Sequence, residues 1–317
     1  MKRLLLILLC VLLTLGAFSG CAAGNTTADG KIKIVATTFP LYDWVRQIAG
    51  QDAQIVMLLD KGVDLHSYQP TADDIAQIKT CDMFLYVGGE SDRWTGDALQ
   101  DAVKPDRIAL SMMETLGDAA RREEVVEGME SEEEEEGEPE YDEHVWLSVK
   151  NAARLCRAIA DALKKILPDR KDSIEKNAAA YIEKLSALDA DYQAAADGAK
   201  VRTLLFGDRF PFRYLTEDYG LSYYAAFSGC SAETEASFKT VVFLAGKADE
   251  LGLRTILTID SSDGAIARTI RNTTKTKDQD ILTLDSMQSM TAAGVAAGKT
   301  NLSVMEQNLD VLKKAMR

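Results

Sequence analysis

The chain of 317 residues carries 50 Asp and Glu against 36 Lys and Arg, a net charge of −14. Thirteen of those acids, and no Lys or Arg, fall between Glu123 and Glu143, so the charge is one tract on an otherwise nearly neutral chain. The missing basic footprint excludes nucleic acid as a partner, and three scattered cysteines beyond Cys21 (Cys81, Cys156 and Cys230) exclude a disulfide framework.

Lys2 and Arg3 precede an apolar run, Leu4 to Leu15, with the length of a secretory signal core rather than of a membrane span. Phe18-Ser19-Gly20-Cys21 then sets small residues before a Cys, the pattern of a lipoprotein cleavage site. Residues 1–21 are read as a lipoprotein signal with Cys21 as the lipidated residue, anchoring the chain to the membrane on its extracytoplasmic side, and 22–30 as a tether. Strands are expected at 33–36, 54–59, 83–87 and 107–110. Helices are expected near 41–48 and from Ala72, behind the capping box Thr71-Ala72-Asp73-Asp74. The acidic tract 123–143, with Glu132, Glu133, Glu134, Glu135 and Glu136 at its centre, has too little apolar surface to fold and is expected to be a mobile loop. Leu147 to Leu167 is helical, ended by Pro168. From Asp169 to Asp197, Ile174, Ala178, Tyr181, Leu185, Leu188 and Tyr192 recur at spacings of three and four, one apolar stripe on a helix far longer than the mean of about 11 residues. The second half repeats the alternation, with strands at 201–206, 223–226, 255–259 and 281–284 and helices near 212–219, 235–251, 265–270 and 301–316.

Strand–helix alternation predicts parallel sheets flanked by helices. The fold class is therefore α/β: an N-terminal domain (31–168) and a C-terminal domain (199–317), each built on a parallel sheet, joined by a spine helix at 169–198. Ligands of such sheets bind outside the carboxyl ends of the strands, which here face a cleft between the domains.

The chain has only two histidines. His66 lies in Asp64-Leu65-His66-Ser67-Tyr68-Gln69-Pro70-Thr71, after the second strand, and His144 in Tyr141-Asp142-Glu143-His144-Val145-Trp146-Leu147, at the mouth of a helix. Neutral imidazole is the commonest metal ligand, although a single loop histidine is more often a solvated surface residue. The residues around the pair decide between these readings. They resemble the two histidine motifs of the zinc- and manganese-binding lipoproteins of bacterial ABC importers. The likeness spans nearly the whole mature chain, through Tyr86-Val87-Gly88-Gly89-Glu90 with Trp94, Glu235-Ala236-Ser237, and Leu302-Ser303-Val304-Met305-Glu306-Gln307-Asn308-Leu309. It also includes a long loop before the second His, the place the acidic tract takes here.

The resemblance implies that His66 and His144 bind metal and that Asp285, in Leu284-Asp285-Ser286, is an acidic ligand from the C-terminal domain. It also implies a ligand where this chain has Arg209, in Gly207-Asp208-Arg209-Phe210. A guanidinium has no free lone pair, so Asp208 is the substitute ligand, with a helix N-cap as its alternative role. Asp260, at the end of the preceding strand, rivals Asp285. Cys230 is either a soft ligand or a free thiol. Two imidazoles and two carboxylates suit Zn2+, favoured here over Mn2+. The implied function is high-affinity capture of a divalent transition metal and its delivery to the permease of an ABC importer, by a monomer that is not an enzyme. The Glu132–Glu136 segment would gather cations for His144. Adhesion, a further role among such lipoproteins, leaves no signature in the residues. Two alternatives stay open: a protein of similar architecture for a chelated-metal or organic ligand, and a metal-dependent hydrolase. The second lacks an H-E-x-x-H motif and a Ser-centred nucleophile elbow.

Overall fold

Short β-branched and aromatic runs form the strands, and the amphipathic stretches between them form helices that cover the sheets. The computed structural model describes residues 30–100, 103–104, 106–130, 140–231 and 235–317. The expected signal with Cys21, nearly all of the tether, and Glu132–Glu136 lie outside the described residues. In chain order the elements are β1 (Ile32–Ala36), α1 (Phe39–Ala49), β2 (Ala53–Met57), α2 (Ala72–Thr80), β3 (Met83–Tyr86), α3 (Thr95–Gln100), β4 (Ile108–Ser111), α4 (Met112–Leu116), α5 (Val149–Ile166), α6 (Lys171–Asp197), β5 (Thr203–Phe210), α7 (Arg213–Tyr219), β6 (Ser222–Ser228), α8 (Phe238–Leu251), β7 (Thr255–Ile259), α9 (Ala265–Thr273), β8 (Asp280–Leu284), α10 (Ala292–Ala296) and α11 (Asn301–Ala315).

The strands make two four-stranded sheets, ordered β2-β1-β3-β4 and β6-β5-β7-β8, and every pairing is parallel. The α/β architecture expected from the alternation is the one observed. Along β5 and β7 successive side chains point to opposite faces. Leu204, Phe206, Leu257 and Ile259 join a core that runs on through the N-terminal sheet, whereas Leu205 and Ile256 pack into a separate cluster with α8 and α9. The stripe on α6 is buried as its periodicity implies, from Ile174 to Tyr192 and on to Ala196. Thr71 and Asp74 form the capping box at the start of α2.

Two features depart from expectation. β5 runs on to Phe210, so Asp208 sits inside a strand rather than at a helix cap, beside a register shift between Phe206 and Arg209. The acidic tract is also not loose along its described flanks. Glu123 N–H donates to Glu140 O at 2.7 Å, Glu130 bridges Phe227 on β6, and Met129 is buried. Composition averaged over the tract hides Val125, Val126 and Met129, and two of these, Val126 and Met129, dock its first half on the core.

Candidate metal centre

His66 lies in a one-turn 3-10 helix, Leu65–Ser67, whose N-cap Asp64 accepts from the His66 backbone N–H at 3.0 Å. Leu65 is buried beneath it. His144 precedes a second such turn, Val145–Leu147, whose three side chains are all buried, so the ring is held against the core. Asp142 Oδ1 accepts from both the backbone N–H of His144 and its Nδ1, each at 2.8 Å. That contact places the hydrogen on Nδ1 and aims the Nε2 lone pair of the neutral ring away from Asp142. Ser91 Oγ meets His66 Nδ1 at 2.7 Å and fixes the orientation of the other ring, with its Nε2 toward His144. Ser91 is itself placed by its N–H, which donates to Glu143 Oε1 at 2.9 Å.

The two Nε2 atoms face each other at 3.1 Å. Burial and the neighbouring His144 charge hold His66 down, at about 4. Burial also pulls His144 down, but the Asp142 carboxylate outweighs it and the net direction is up. Two nitrogens bound to one zinc at about 2.0–2.1 Å stand roughly 3.3 Å apart at the tetrahedral angle, so the pair is already spaced for an ion.

The C-terminal half presents a different set of groups from those expected. Among the described residues, the one cluster of three or more His, Cys, Asp or Glu ligand atoms lying within 4.8 Å of one another is His66, His144 and Cys230. Asp208 and Asp285 are outside it. Asp208 accepts from the Arg209 N–H at 2.9 Å, and burial raises its pKa. Asp285 accepts from Met287 N–H at 2.8 Å and faces Lys299 Nζ at 3.6 Å. Its pKa is raised by burial and then by Asp260. Asp260 in turn accepts from both the N–H and the hydroxyl of Ser286. Arg209 donates to Asp64 Oδ2 at 2.7 Å, an ion pair between the two halves. Gln288 joins the centre without any local sequence signal. Met287, at φ 61, turns the backbone, and the Gln288 amide oriented with its nitrogen toward Asp64 and its oxygen toward His144 Nε2 makes contacts of 3.0 Å to each. Trp146 Nε1–H closes the rim by donating to Ser286 O at 2.9 Å.

Comparison with known proteins identifies the family. The family described as zinc-uptake complex component A, periplasmic (ZnuA), matches residues 34–315. The zinc-binding lipoprotein AdcA of Streptococcus pneumoniae is 33% identical over 99% of this chain, which spans 61% of that relative's length. The high-affinity zinc uptake system protein ZnuA of Bacillus subtilis is 28% identical, over 99% of this chain and 97% of its own. The crystal structure of the Zn(II)-bound ZnuA-like domain of S. pneumoniae AdcA superposes with a TM-score of 0.72 at 31% identity, covering 90% of this chain and 99% of that one.

Proposed function

The chain belongs to the zinc-uptake complex component A family, and from that premise we propose that it captures zinc outside the cytoplasm and passes it to the permease of an ABC importer. The observation that carries this is the pair of imidazoles, one half-buried and one buried, each oriented through Nδ1 and facing the other across 3.1 Å. His66 and His144 are the proposed ligands, and the ion is cargo. The S. pneumoniae and B. subtilis relatives, named for zinc, support Zn2+ over Mn2+. The family is one of uptake components rather than of enzymes. No helix among the described residues is long and apolar enough to cross a membrane. We place the chain at the membrane as a monomer through lipidation of Cys21, a reading supported by the cleavage-site pattern and by the AdcA relative, which is named a lipoprotein.

The test is metal content after loading from an equimolar mixture of zinc, manganese, iron and copper, for the parent and for a His66→Ala/His144→Ala variant whose fold is checked by circular dichroism. One zinc per parent chain and none in the variant is the expected result. Equal loading of both, or manganese in the parent, would overturn the reading.

A further inference from the structure

The histidine pair gives two donors, and zinc held in a protein takes three or four. Arg209 is paired with Asp64 and has no lone pair to offer. The carboxylates of Asp208 and Asp285 stand outside the cluster around the imidazoles. What the C-terminal half does bring there is a thiol. We propose that Cys230 is the third ligand, so that the cargo is held by two imidazoles and one thiolate, a set selective for zinc over manganese. The proposal rests on the reading of His66 and His144 as a metal site.

Three observations support it. The Cys230 sulfur and one ring nitrogen of each histidine lie within 4.8 Å of one another. Nitrogen and sulfur on one tetrahedral zinc, at about 2.0 and 2.3 Å, are roughly 3.5 Å apart, so a loop shift of little more than an ångström completes the set. The loop is also built to approach His144. A Cβ on Gly229 would stand 2.9 Å from Phe210 O and 3.0 Å from His144 Cε1, so glycine is what lets the turn press against the ring. Finally, the turn is held from the other half of the molecule. Cys230 N–H donates to Glu123 Oε1 at 2.9 Å, which gives the start of the acidic tract a structural role at this site. The other two described cysteines, Cys81 and Cys156, are buried in the core.

On binding, the S–H bond breaks, the metal–sulfur bond forms and the proton leaves to solvent, while the imidazoles bind as neutral donors. Thiolate favours zinc, whereas manganese prefers oxygen ligands. The histidines alone would discriminate less between the two.

Cobalt(II), loaded into the full chain in place of zinc, tests this directly. A thiolate ligand gives a sulfur-to-cobalt charge-transfer absorption in the near ultraviolet, and imidazoles and carboxylates do not. The expected result is that band in the parent, its loss in Cys230→Ser, and a drop in zinc affinity of more than about tenfold, the scale on which even outer contacts of a metal site count. Alkylation followed by peptide mapping supplies a readout on the parent alone, should the variant fold poorly. Zinc is expected to protect Cys230. Cobalt bound without the band, or a zinc-loaded Cys230 that alkylates as fast as the metal-free one, would overturn the role of Cys230 and leave the histidine site standing. A parent that binds neither metal would overturn the histidine site itself.

Discussion

One shell out from His66, Ser91 is followed by Asp92, whose carboxylate is almost wholly buried. Its Oδ2 accepts from the N–H groups of Val87 and Gly88 at 2.7 and 3.1 Å, and its Oδ1 has no hydrogen-bond partner among the described residues. Burial pushes this group up to about 7, against the pull of the two N–H donors and helped by Glu143. The unfolded chain releases the proton near the ordinary carboxylate value, whereas the folded chain keeps it until about 7. The folded state thus binds more protons between those values, and stability falls as pH rises from about 4 to about 7 and then levels. Asp92→Asn keeps an acceptor for Val87 and Gly88 and removes the ionisation. Denaturant midpoints measured across that range should show the variant gaining on the parent as pH rises, by an amount on the order of 4 kcal/mol at most. A constant difference would mean that Asp92 titrates normally. Motifs made His66 and His144 legible at this scale, because both lie in short turns fixed by neighbours in sequence. Gln288 and the Asp64–Arg209 pair were not legible, because their partners arrive from the other half of the chain.

At the scale of elements, β5 carries the second half of the molecule, and its weak point is Gly207. A Cβ there would lie 2.6 Å from the Cα of Ala267 on α9, so helix and strand touch backbone to backbone beside the register shift. Gly207→Ala must push α9 away, and overpacking of this kind costs about 1–3 kcal/mol. A thermal melt of the metal-free protein checks this, and an unchanged midpoint would mean that the contact relaxes freely. All eight strands among the described residues were legible from short runs of β-branched, aromatic or other apolar residues. The short helices α3, α4 and α10 were not, because five or six residues hold too little periodicity to read. The acidic tract shows the complementary failure. Its composition describes the average residue, but its place is set by a few apolar side chains and by Glu130, which accepts from Ser237 N–H at 2.6 Å.

For the whole molecule, a ligand set drawn from both halves makes zinc a clamp on the native state, since the unfolded chain presents no such cluster. Free zinc at a thousandfold above its dissociation constant adds about 4 kcal/mol, which for a chain of this size raises the melting temperature by roughly 7 °C. Scanning calorimetry with and without zinc measures this, and the shift should vanish in His66→Ala/His144→Ala. A shift that survives would place the stabilising ion elsewhere.

The course of α11 bears on how the carrier is recognised. Having left the second sheet, the chain returns along α6. Asn301 N–H at the head of α11 donates to the buried Asp43 of α1 at 2.8 Å, and Met305 O accepts from Tyr192 of α6 at 2.6 Å. Met316 O at the far end of α11 accepts from Lys200 and Val201 just past α6, so the two helices run side by side in the same direction, where a hinged carrier would have a loop. Packed helices slide more readily than they swing, so empty and laden carriers will have nearly the same silhouette. On the proposed reading, a membrane partner would tell them apart by touch, from the few side chains at the mouth of the cleft.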